Sequence, residues 1–209
     1  MTERHHRPVR VPSQAFEALI GADDPAAVSR VAHDTARALL QRARGEGDQA
    51  FVARLVAYAD EHGIDEIAEL WAGAASRSLP GALWRLYLLR QAVRANPTET
   101  SYLFRRGYDV DRSISSVVAG AATPTGPEEV VALADVILHG AFSGDFALAL
   151  ERAAAFCLVM SQGATSLAKD EESVAPARAR QSTRRAIRYL EMGEDLHASA
   201  GMWRLDTLD

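Results

Sequence analysis

The chain has 209 residues, 48% of them hydrophobic and 24% charged, with a net charge of −5. That is enough to bury a core without disulfides or metal, and it excludes disordered and collagen-like classes. The mild acidity gives no overall pull toward nucleic acid or an anionic membrane, so nucleic acid is a disfavoured partner and no membrane is expected. Lys169 is the single lysine among 23 basic residues, and Cys157 is the single cysteine. No internal disulfide can form, which suits a reducing compartment, and Cys157 reads as a small buried hydrophobe.

In chain order, "MTERHHRPVRVP" is a flexible arm, residues 1–12, charged but without the apolar stretch of a secretory signal. A cytoplasmic protein is expected. Apolar residues then recur at three- and four-residue spacing with no sustained alternation, so the class is all-α, a bundle of about eight to ten helices in one domain over 13–209. Ser13 caps a short helix ending at Gly21, and a longer one covers 25–44, with Asp24 as cap and Gly45 behind it. The segments 48–62 and 64–75 read as two further helices. Ser78 and Pro80 open the next, "LPGALWRLYLLRQAV", which Asn96-Pro97 closes. "TETSYLFRRGY" adds a turn or two, and 112–119 is weakly helical.

"GAATPTGP", 120–127, is the strongest loop signal and a possible subdomain boundary. A helix from Pro127 to His139 and another from Ser143-Asp145 to Gln162 then form a hairpin. The second is the most membrane-like stretch, but its apolar run, 146–160, is shorter than a span and carries Glu151 and Arg152. Residues 163–176 are polar and form a candidate disordered segment. A last helix runs from Pro176 toward Met202, weakened by Gly193 and Gly201.

The charges offer four candidate sites. Arg90 lies among Leu79, Leu83 and Leu86 on a helical wheel, where an unpaired guanidinium would cost several kcal/mol. Glu151 is a lone acid in an apolar sector of the later helix, and residues 79–112 carry a net +3 against −4 for 113–168. Arg90 and Glu151 are therefore expected to pair between two central helices and fix their register. The alternative is an enzyme or small-molecule-binding protein in which Arg90 and Arg94, one turn on, line a pocket for a small anionic ligand.

Glu194 and His197 have the i, i+3 spacing of metal ligands in carboxylate-bridged helical bundles, but a complete site needs further ligands, and Asp135 with His139 is the nearest candidate pair. Arg178, Arg184, Arg185 and Arg188 form a basic face that could meet nucleic acid. Glu191, Glu194 and Asp195 follow at once, however, and no aromatic is interleaved.

No phosphate-loop, dinucleotide, nucleophile-elbow or paired-cysteine pattern occurs. No cofactor is implied. The expectation is a binding, interaction or scaffold protein rather than an enzyme, with a protein partner or a second copy as occupant, because apolar helices such as 79–96 and 146–160 exceed the needs of one small core.

Overall fold

The computed structural model describes residues 25–45, 70–111, 124 and 126–209. Among them every regular element is an α-helix and there is no strand, as the spacing predicts. The six complete helices are α1 (Pro25–Gly45), α2 (Leu79–Ala95), α3 (Pro97–Val110), α4 (Pro127–Ser143), α5 (Phe146–Glu171) and α6 (Pro176–Arg204). Residues 70–72 end a seventh, so the described count falls below the eight to ten expected. The expected arm at 1–12, the helix to Gly21, the Asp24 cap, the helix 48–62, most of 64–75, and 112–119 lie outside the described residues. So does most of the 120–127 loop.

Local chemistry sets the boundaries. Ser78 accepts a hydrogen bond from the Gly81 N–H at 3.3 Å, and Pro80 follows in the first turn of α2. Asn96 breaks α2 from α3 in front of Pro97. Asp145 caps α5, its carboxylate accepting from the Leu148 N–H at 3.3 Å.

The core is built on α5, which is flanked by α6 along most of its length and crossed by α3, while α4 packs against both α5 and α2. Phe104, Phe146, Phe156, Leu150 and Met160 are among its fully buried side chains, each contributing about 1.5–3 kcal/mol of apolar transfer. Phe104 and Phe156 lie with ring centroids 5.3 Å apart, and Phe146 meets the edge of Trp203 at 4.9 Å. α1 adds Ala32, Ala36 and Leu40, and the Trp71 indole donates to Thr35 Oγ1 at 3.2 Å.

Three expectations change. α3 is a 14-residue helix instead of a turn or two. α5 does not stop at Gln162 but continues to Glu171, so much of the candidate disordered segment 163–176 is helix. The reason lies at Gly163, where α3 crosses so closely that a Cβ would sit 1.9 Å from the Leu103 carbonyl oxygen. Gly107 on α3 is its counterpart, 1.9 Å from the Val159 oxygen by the same measure. These glycines permit backbone contact in mid-helix and end nothing.

With 26 residues, α5 is also long and apolar enough to cross a bilayer, contrary to the shorter run read from sequence, although 67% of its apolar window is buried inside the bundle. In α6, Gly193 packs against Ala154 and Cys157 of α5, while Gly201 faces open space.

Candidate functional site

Arg90 is 2% exposed, as its place among leucines requires, but Glu151 is not its partner. Its Nε donates to Asp135 Oδ1 on α4 at 2.6 Å, and Arg94 Nη1 reaches the other oxygen of the same carboxylate at 3.4 Å. As a whole, α2 packs more on α4 than on any other described helix, and it touches α5 far less. The expected Arg90–Glu151 pair is thus corrected: register is held between α2 and α4. Asp135, named with His139 as a candidate metal-ligand pair, instead holds both arginines. An anionic pocket at Arg90 and Arg94 would have to displace this carboxylate.

Glu151 faces the end of α6, where Arg204 Nη1 donates to Oε1 at 2.5 Å. The Arg204 hydrogen bond holds the Glu151 carboxyl below its ordinary range, with smaller help from the charges of Arg204 and His197.

Elsewhere the arginines likewise tie one helix to another. Asp195 on α6 accepts from Arg77 Nε at 3.1 Å and lies 3.4 Å from Arg85 Nη2 on α2. Arg106 on α3 donates to Ser166 at 2.9 Å and pairs with Asp170, both on α5, which raises its own pKa. Arg185 turns inward from α6 to Glu99 at the start of α3 and lies 5.9 Å over the Tyr189 ring. It therefore leaves the basic face on which sequence placed it.

Glu194 and His197 are both exposed, and no group of three potential metal ligands occurs among the described residues. Cys157 is buried and burial pushes its thiol up to about 12, so no thiolate nucleophile is available there. A groove of about 650 Å³ lies between the N-terminal parts of α3 and α4, lined by Pro97, Thr98, Glu99, Tyr102, Arg105 and Pro127; none of the candidate site residues lines it, although Glu99 is the partner of Arg185.

What remains is the outer face of α6. Arg178, Arg180, Arg184 and Arg188 are exposed and make no ion pair among the described residues, and Glu191 and Glu194 farther along are equally unpaired. Among them Ile187 is 50% exposed and Leu190 41%. On a helix advancing about 100° per residue, Arg180, Arg184, Leu190, Glu191 and Glu194 all fall within about 60° of Ile187. The arginines are legible in the sequence but the stripe is not, because the acids that follow them count there only against nucleic acid. The signal was there in the change of charge sign along one face.

Compared with known proteins, the chain matches no family model and has no significant match to a curated protein or a solved structure.

Proposed function

We propose that this is a cytoplasmic, single-domain helical protein that acts by binding another protein through the outer face of α6, without catalysis of its own. One contrast carries the reading. The arginines on α2 and α3 that reach a neighbouring helix are held by carboxylates of the chain, whereas the α6 stripe leaves charges of both signs without an ion pair among the described residues and two large aliphatic side chains exposed. Apolar centres ringed by charge suit protein docking. A polyanion would meet Glu191 and Glu194 on the same stripe, so nucleic acid fits it poorly.

A photo-crosslinking residue at position 187, with position 136 on α4 as control, tests this in cells producing the full chain. Val136 is a fair control because it is 54% exposed and aliphatic. The expected result is discrete protein adducts from 187 and none from 136. Adducts absent from 187, or equal at both positions, would refute the reading.

A further inference from the structure

The stripe on α6 has an internal order that specifies its occupant. Reading along the helix, it runs Arg180, Arg184, Ile187, Glu191, Glu194: two cations, an aliphatic centre, two anions. With about 1.5 Å of rise per residue, Arg180 and Glu194 lie about 10.5 Å on either side of Ile187, and Arg184 and Glu191 about 4.5 and 6 Å on either side. Reversing the direction of the helix exchanges the signs. A face of that kind is complementary to itself when two copies run antiparallel.

We infer that the partner of this face is a second copy of the chain, docked antiparallel along α6 with Ile187 on the two-fold axis. This rests on the interaction reading above and names its partner. Across the axis Arg180 faces Glu194 of the partner subunit, and Arg184 faces Glu191 of the partner subunit, each contact occurring twice by symmetry. Ile187 packs on its own counterpart, with Leu190 beside it.

A parallel arrangement would set cation against cation and anion against anion, which excludes it. An isologous interface also needs both halves of the stripe to be free. Here they are: Arg180, Arg184, Glu191 and Glu194 make no ion pair among the described residues, while Asp195, the acid adjoining Glu194, faces the other way and is taken by Arg77 and Arg85. Exposed ion pairs are individually weak, so the association is expected in the micromolar range and falls as salt rises.

Sedimentation of the purified full chain tests this with wild type and three variants. Wild type is expected to dimerise at concentrations up to about 100 µM. R180E/R184E makes the stripe wholly anionic and E191R/E194R makes it wholly cationic, so each alone is expected to dimerise at least tenfold more weakly.

An equimolar mixture of the two is expected to recover a heterodimer, and the fourfold exchange R180E/R184E/E191R/E194R a homodimer. All the substituted side chains are exposed, and helical content measured by circular dichroism shows that each variant is folded. A monomeric wild type, or charge variants that dimerise as well as wild type, would overturn self-pairing. In that case crosslinks from position 187 to a different protein would still uphold the wider interaction reading, and their absence would remove both.

Discussion

The guanidinium of Arg90 and the carboxylate of Asp135 meet at 2.6 Å between α2 and α4, one 2% exposed and the other 38%. Such a pair holds two helices in one register because its charged hydrogen bond is directional, while the solvent on the Asp135 side screens part of its strength. D135N keeps the size of the side chain and removes the charge that Arg90 and Arg94 share. It is expected to lower stability by about 1–3 kcal/mol in urea titrations. R90M/D135L, which removes both charges of the pair, is expected to cost less than D135N. A double variant less stable than the single one would show that the pair contributes more than register.

Two glycines that look alike in sequence are expected to respond oppositely. G163A drives a methyl group into the Leu103 carbonyl across the α3 crossing, where the backbone has no room to yield. Overpacking of this kind costs about 1–3 kcal/mol, more than the gain of about 1 kcal/mol in helix propensity. G201A meets nothing within 4 Å and is expected to gain up to about 1 kcal/mol. Thermal melts of both variants give the signs directly.

The Glu151–Arg204 contact gives stability a defined dependence on pH. Because the folded carboxyl titrates below its ordinary range, its contribution is complete above the unfolded value of about 4.3 and is lost as pH falls through the lower folded one. E151Q is therefore expected to be less stable than wild type near neutrality and to converge on it at the acid end. Denaturation midpoints compared at neutral and acid pH measure this, and a difference that persists unchanged into acid would contradict the assignment.

The class of fold is legible in the sequence because apolar spacing and caps such as Ser78 and Asp145 are local signals. Burial of Arg90 is legible for the same reason: one helix suffices to show a charge surrounded by leucines. Its partner is not, since Asp135 lies on another helix and on what looks like a polar face, and the choice between α4 and α5 is made by tertiary packing. Gly163 misleads because a glycine in mid-helix reads as a terminator unless the crossing helix is known. The stripe on α6 needed the exposure of each residue, for the same row of arginines contains Arg185, which leaves it for Glu99.

Antiparallel pairing through α6 puts two copies of residue 187 side by side, which a cysteine there can report. The native Cys157 is buried and stays silent, so I187C carries one accessible thiol, as does the control V136C. Under mild oxidation at micromolar concentration, I187C is expected to form a reducible covalent dimer at least tenfold faster than V136C, since cysteines on a two-fold axis approach within bonding distance. Equal rates for the two variants would contradict self-association along this face.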